Sequence, residues 1–269
     1  MKLKVLVDNN TYIDEYYYGE PGVSYYIEDD GEKLLLDVGY SDIYIKNAKK
    51  MKINLNEIQK IVLSHSHNDH TGGLEYYFKN YENKPEIIGC FGVFEERKYG
   101  TLKIGSPMSE EKILKKTKVI YSNTPKKITK NIIFLGKIPR KNKFEGQVPL
   151  GEVKKSGKYV DDYNLDDSAL VYKSKNGIYI ITGCSHSGIC NIIDYAKIIC
   201  KDNRVLGIIG GFHLFDLDVQ TNETIKFLKK NGIDKNLYPC HCVSLKVKTE
   251  MSKYFNINEV GVGLELEWD

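Results

Sequence analysis

No segment of this 269-residue chain is apolar for long enough to span a bilayer, and its opening, MKLKVLVDNN, holds no apolar run of signal-peptide length. An excess of one charge is lacking too: 39 basic residues face 36 acidic ones, a net of +3, so no global field points to nucleic acid or a membrane surface. Neither an internal repeat nor a low-complexity segment is present. What remains is an ordinary globular composition, 41% hydrophobic and 28% charged, in a chain long enough to bury a full core. The six cysteines (Cys90, Cys184, Cys190, Cys200, Cys240, Cys242) have no secretory context, so free or metal-linked thiols are expected rather than disulfides. The expectation is a cytoplasmic protein with no nucleic-acid or membrane partner.

Histidine is scarce, yet three of the six stand together in Ser64–Gly73, SHSHNDHTGG. The strand-type run Lys60–Leu63 precedes this stretch, and Gly72-Gly73 leads from it into a helix-type run at Leu74. His65, His67, Asp69 and His70 therefore sit on one tight loop. Neutral imidazole is the commonest metal ligand, and several imidazoles with a carboxylate suit zinc or another borderline divalent ion. A capping turn would need one Ser or Asp and has no use for three imidazoles.

Elsewhere, alternation predicts strands at Lys2–Val7, Val23–Glu28 and Lys33–Asp37, the last two joined at Asp29-Asp30-Gly31. Asp37 ends an apolar strand just before glycine, where it is either a turn former or a functional carboxylate. A helix is predicted over Ser41–Met51 with Ser41 as its N-cap, and a strand at Glu86–Gly89. Between Arg97 and Arg140 only a helix (Glu110–Lys116) and a strand (Ile132–Gly136) are visible. Arg140–Val160 lacks pattern and reads as a lid, binding loop or disordered segment. The basic run Lys137–Lys143, which overlaps its start, reads as a solvated face in preference to an anion site. Strands follow at Ser168–Ser174 and Gly177–Thr182, joined tightly at Asn176-Gly177, and a helix at Ile189–Cys200. Then come a strand at Val205–Ile209, a helix at Asn222–Lys230, the short strand Leu237-Tyr238, a last helix and a closing strand, Val260–Trp268.

His186, His213 and His241 each stand just beyond a predicted strand, in loops rich in Gly, Ser or Cys, where binding sites commonly form. Cys184 is either a thiolate ligand for a soft metal or a small buried residue ending its strand. Cys240 and Cys242 flank His241, but no second pair stands at suitable spacing for a separate cysteine metal site.

HSHNDH resembles the signature of the metallo-β-lactamase superfamily, and the likeness continues through LLLDVG at Asp37, IITGC at Cys184 and PCHC at His241. The resemblance implies an α+β fold, a four-layer αββα sandwich, as one domain over 1–269 with a variable insertion at about 97–160. It implies two divalent ions, zinc foremost with iron or manganese as alternatives, one held through His65 and His67 and the other through Asp69, His70 and His241. Cys184 would bridge or complete the site and Asp37 would orient the ligand loop from behind. Most members carry a further histidine some twenty residues before Cys184; here DDYNLDDSALVY has none, and His186 could supply the missing imidazole. TGCSHSGI, GGFHL and PCHC together are similar to dihydropterin-ribofuranosylaminobenzene phosphate synthase-like proteins, although Val243-Ser244 departs from the Thr-Gly common there.

The leading expectation is a hydrolase that uses a metal-bound water on a small phosphorylated or heterocyclic substrate, with Asp69 as ligand and proton acceptor and His213 contacting substrate at the rim. The alternatives are a transferase condensing a dihydropterin methyl pyrophosphate with an aromatic amine, and a non-catalytic metal-binding or sensor protein.

Overall fold

The computed structural model describes residues 1–269. Strand β1 (Lys2–Val7) leads into the hairpin β2 (Ser24–Asp29) and β3 (Glu32–Leu36), then helix α1 (Ile43–Lys50) and β4 (Lys60–Val62). Short helices α2 (Asn68–Thr71) and α3 (Leu74–Asn80) precede β5 (Glu86–Gly89), β6 (Arg97–Tyr99), β7 (Leu102–Lys103) and α4 (Glu110–Leu114). The middle of the chain adds β8 (Val119–Tyr121), β9 (Lys126–Lys127), β10 (Ile132–Phe134), β11 (Glu152–Lys155) and β12 (Lys158–Asp161). Next come β13 (Ala169–Lys173), β14 (Ile178–Thr182), α5 (Ile189–Cys200), β15 (Val205–Gly210) and α6 (Val219–Lys230). The chain closes with β16 (Leu237–Pro239), α7 (Leu245–Ser252) and β17 (Glu265–Glu267).

Two sheets, ordered β17-β1-β2-β3-β4-β5-β8 and β16-β15-β14-β13-β10-β9, pack face to face. Side-chain alternation explains the layering. In β3, Leu34 and Leu36 point into the core shared by the sheets, alongside Leu170, Ile181 and Ile209 from the other side, while Leu35 points outward beneath α1. In β13 and β14, Val171 and Ile180 face outward to meet Ile192, Ile193 and Ala196 of α5. Three buried clusters thus fill the spaces of an αββα sandwich, the fold the motifs imply. No helix is long and apolar enough to cross a membrane.

The β2–β3 connection is the two-residue turn Asp30-Gly31, both at positive φ (52° and 80°), as the D-G signal predicts. Other boundaries differ. Helix α1 begins after Asp42 rather than Ser41, because the Ser41 hydroxyl is also engaged in donating to Glu20. The β13–β14 connection spans residues 174–177, not a two-residue turn, closed by Ser174 N–H donating to Gly177 O. The closing strand is confined to Glu265–Glu267.

The unpatterned stretch contains structure. Antiparallel β11 and β12 join β6 and β7 in a third, four-stranded sheet, ordered β12-β11-β6-β7. Both faces of this ribbon are largely exposed, so no apolar alternation marks it in the sequence. Within 97–160, β8, β9 and β10 belong to the two main sheets.

Candidate metal centre

Parallel pairing places the chemistry. Strands β3, β4 and β5 run parallel in the first sheet, and β14, β15 and β16 run parallel in the second. Their carboxyl ends therefore open on one edge of the sandwich, the place where open sheets bind ligands. Asp37 follows β3, the histidine loop follows β4, and His186, His213 and His241 follow β14, β15 and β16 in turn.

The loop Ser64–Gly73 is held from several sides. Asp37, fully buried, accepts from Ser64 N–H (2.7 Å) and from Ser64 Oγ–H (2.6 Å). Asp166 accepts from Ser66 N–H at 2.9 Å, and Asn68 N–H donates to Ile104 O at 2.8 Å. Gly73 is required by close approach, since a Cβ there would lie 2.0 Å from Val38 O.

Two of the three clusters with the geometry to hold a metal ion gather the residues of the histidine loop. In the first, one ring nitrogen from each of His65, His67 and His186 lies within 4.8 Å of the others. His65 Nε2 and His186 Nε2 face each other at 3.1 Å, and buried His186 Nδ1 has no partner. In the second, Asp69, His70, Cys184 and His241 each present an atom within the same 4.8 Å limit. His70 Nε2 lies 3.1 Å from Cys184 Sγ, and His241 Nε2 lies 3.2 Å from Asp69 Oδ2. The centroids of the His65 and His70 rings, one from each set, are 4.2 Å apart. Cys184 thus lies buried just past its strand and places its sulfur among the atoms of this cluster.

Electrostatics suit this geometry. Burial, reinforced by the neighbouring imidazoles, holds His65 and His186 well below the usual histidine range; burial lowers His67 to about 4. All three are therefore neutral near pH 7, the form that ligates metal. Burial alone would lower His70 as well, but Asp69 and Asp37 reverse it and raise His70 to about 10, so this ring is cationic near pH 7 in the metal-free chain and must release a proton for an ion to bind. Burial would raise Asp69, yet His70 and His241 hold its carboxyl well below the usual range. Because a carboxylate only accepts, Asp37 Oδ2, 2.7 Å from His70 Nδ1, fixes a proton on that nitrogen and turns Nε2 toward Cys184 and Asp69.

The backbone is also committed. Asp37, Asn164, Ser185, His213 and His241 all have φ between 47° and 61°, a region non-glycine residues seldom occupy. Such strain clusters where a fold over-determines a functional site.

His213 lies beside the second set, half-buried, its ring 4.5 Å from that of His186 and 4.8 Å from Phe215. It lines a cavity of about 530 Å³ whose floor holds His67, Asp69, Cys184, His186 and His241. Tyr99, Leu102, Ile104 and Leu150, from the third sheet and adjoining loops, form apolar wall together with Phe215. None of the lining residues is Lys or Arg. The basic run Lys137–Lys143 lies outside the cavity; its Arg140 donates instead to backbone oxygens, among them Asn164 O at 3.0 Å.

Several contributors carry no motif. Asn164, fully buried, places Nδ2 2.9 Å from His67 Nε2 and leaves Oδ1 without a partner. Arg97, 2% exposed, binds Asp162 (2.5 Å), Asp166 (2.7 Å) and Ser66 Oγ, tying the third sheet to the histidine loop. Asn9 Oδ1 lies 2.8 Å from His241 Nδ1. Cys240 and Cys242 diverge: the first contacts Tyr25 in the inter-sheet core, the second lines the cavity.

The donor sets fit borderline divalent cations: imidazole, carboxylate and thiolate atoms converge, and two imidazole nitrogens face each other at 3.1 Å. Comparison with known proteins agrees with this class. The metallo-beta-lactamase superfamily profile matches residues 17–89. An uncharacterized protein of Methanocaldococcus jannaschii is 34% identical, with 94% of this chain and 95% of that protein aligned. The 7,8-dihydropterin-6-methyl-4-(beta-D-ribofuranosyl)-aminobenzene-5'-phosphate synthase of the same organism is 30% identical, over 95% of this chain and 92% of that one. A crystal structure described as a metal-dependent hydrolase of the beta-lactamase superfamily superposes with a TM-score of 0.86 and 28% identity, covering 100% of this chain and 99% of that one. This chain belongs to the metallo-beta-lactamase superfamily. Its relatives include both a protein described as a hydrolase and one named a synthase.

Proposed function

We propose that this protein is a metal-dependent hydrolase acting on a small substrate with a heterocyclic or otherwise apolar body. The observation that carries the reading is the pair of adjoining ligand sets on the floor of a cavity with apolar walls. His65, His67 and His186 would hold one divalent ion, and Asp69, His70, Cys184 and His241 a second, zinc being the best match to these donors with iron or manganese as alternatives. Such ions, when bound, supply Lewis acidity that activates water and polarises the scissile group.

The chain's own residues do the rest. Burial keeps the first three imidazoles neutral and ready as donors. Asp37 locks the His70 tautomer, and Ser64 ties that carboxylate to the ligand loop. Asp69, kept ionised by two imidazoles, is placed to accept a proton at a carboxylate oxygen. His213 and Phe215 border the space where the substrate body would lie. With no Lys or Arg on the walls, a phosphate group would have to be held by the metal centre itself.

A second reading, transfer of a dihydropterin methyl group from its pyrophosphate to an aromatic amine, is favoured by the 30% identical synthase and by a cavity within the usual size range of ligand pockets. The test is metal content, followed by turnover of a phosphodiester and lactone panel before and after chelation. Hydrolysis that disappears with the metal and returns on reloading is the expected result; hydrolysis surviving complete metal removal overturns it. Incubation with a dihydropterin methyl pyrophosphate and an aminobenzoate-type acceptor, followed by mass detection of an adduct without hydrolysis of the panel, would transfer the assignment to the second reading.

A further inference from the structure

We propose that Cys184, His213 and Cys242 form a third metal position, rich in thiolate and selective for a soft or borderline cation such as Zn²⁺, Cd²⁺ or Cu⁺. One ligand atom from each of the three lies within 4.8 Å of the others. They come from three successive parallel strand ends, so the sheet itself sets their separation: Cys184 follows β14, His213 follows β15 and Cys242 follows β16. The connecting backbone is pinned across these ends, with Gly211 N–H donating to Gly183 O at 2.8 Å and Leu214 N–H to Cys242 O at 3.2 Å.

The position is built rather than incidental. His213 adopts φ 50°, a left-handed conformation costly for a side chain of this size, and its buried Nδ1 has no hydrogen-bond partner. Cys242 Sγ occupies space available only because residue 211 is glycine, since a Cβ there would come within 2.4 Å of the sulfur. Its Sγ lies 3.5 Å from Cys184 O and within reach of the Cys184 and His213 side chains. All three residues border the cavity, which gives an ion a route in.

The donor chemistry sets this position apart from its neighbours. Two sulfurs with one imidazole favour softer ions than three imidazoles do, or than a carboxylate with two imidazoles and one sulfur. Cys184 belongs to both this trio and the adjoining set, so its thiolate would be shared between two ions. The position does not depend on hydrolysis being the activity of the neighbouring centre.

The experiment titrates metal-free protein, kept under reductant, with Co²⁺ and reads two quantities: equivalents bound and thiolate-to-cobalt charge-transfer absorption. Wild type is expected to bind three equivalents. Cys242→Ser should bind two, with the charge-transfer intensity cut by about two-thirds, because only the bond from Cys184 to the adjoining ion remains. His213→Gln keeps both thiols and should also lose the third equivalent, which guards against a folding defect peculiar to the serine variant; melting curves of both variants provide the control. Two equivalents in wild type, or an unchanged count and intensity in folded Cys242→Ser, overturns the proposal. So does a Cys184–Cys242 disulfide in the reduced preparation, detected by thiol counting. The hydrolysis assay is run on wild-type protein and reads turnover rather than equivalents bound, so failure here is distinguishable from failure of the hydrolase reading.

Discussion

Replacing Asp37 by Asn separates the role of this carboxylate in metal binding from its role in stability. Its Oδ1 accepts from Ser64 N–H, while Oδ2 meets Ser64 Oγ and His70 Nδ1. An asparagine must keep its oxygen toward Ser64 N–H, because its amide nitrogen cannot face another donor. The NH₂ group then points at His70 Nδ1, which must give up its proton and accept. The ring's remaining proton is then held on Nε2, the atom turned toward Cys184 and Asp69, and that nitrogen is lost as a metal donor until the ring is reset. Mutation of such supporting partners costs about 10–100-fold in metal affinity, or about 1.4–2.7 kcal/mol. The loss should be confined to one ion, with the ion at His65, His67 and His186 little changed. Asp37→Ala behaves differently, because Ser64 N–H is left buried without an acceptor and His70 Nδ1–H keeps only a long 3.5 Å approach to Ser64 Oγ, which can itself turn to His65 Nδ1 at 2.9 Å. At about 1–3 kcal/mol for each group, the alanine variant should lose about 2–6 kcal/mol, and its melting temperature should fall by about 4–12 °C. Calorimetric titration of metal-free protein with Zn²⁺, alongside thermal melts, measures both effects. An asparagine variant binding both ions within twofold of wild type would refute the tautomer argument.

Arg97→Met should lower stability by about 3–5 kcal/mol, because it strands Asp162 and Asp166 as buried carboxylates and frees the third sheet from the histidine loop. A loss under 1 kcal/mol in urea unfolding would show that the ion pairs are dispensable. Metal-free protein should lose stability as pH falls from about 6.5, the unfolded histidine value, toward the folded His67 value of about 4, since the unfolded chain binds more protons throughout that window. His67 alone contributes about 3 kcal/mol to this loss, with His65 and His186 acting in the same direction. His70, raised to about 10, acts oppositely: its stabilisation is complete below about 6.5 and drains away as pH rises toward 10. Melting temperatures measured with chelator should therefore peak near neutrality; a curve that is flat or rising between pH 6.5 and 5 contradicts the assignment.

The histidine loop was legible in the sequence because coordination by adjacent residues is local: His65, His67, Asp69 and His70 need only one turn to face a common space. The strand ends bearing His186, His213 and His241 were legible too, because buried strands write apolar runs that stop at glycine or cysteine. Assembly from separate strands was implied by family resemblance, but which atoms meet was decided by parallel pairing in two facing sheets. That pairing brings His186 against His65 across 121 residues of chain and Cys242 beside Cys184 across 58, a contact that the search for paired cysteines could not anticipate. Asn164 and Arg97 carried no signal at all, since an amide in an acidic loop and an arginine on a short strand look like surface residues until long-range folding buries them. The cavity walls were legible only as a loose stretch that could serve as a lid or binding loop, without the residues that line it. Tyr99, Leu102 and Leu150 come from a stretch with no hydrophobic period, because the third sheet is exposed on both faces and earns its place only by being tied to the histidine loop through Arg97. Metal-binding character is thus a property of short-range spacing, whereas the shape that selects a substrate arises from contacts between residues far apart in the chain.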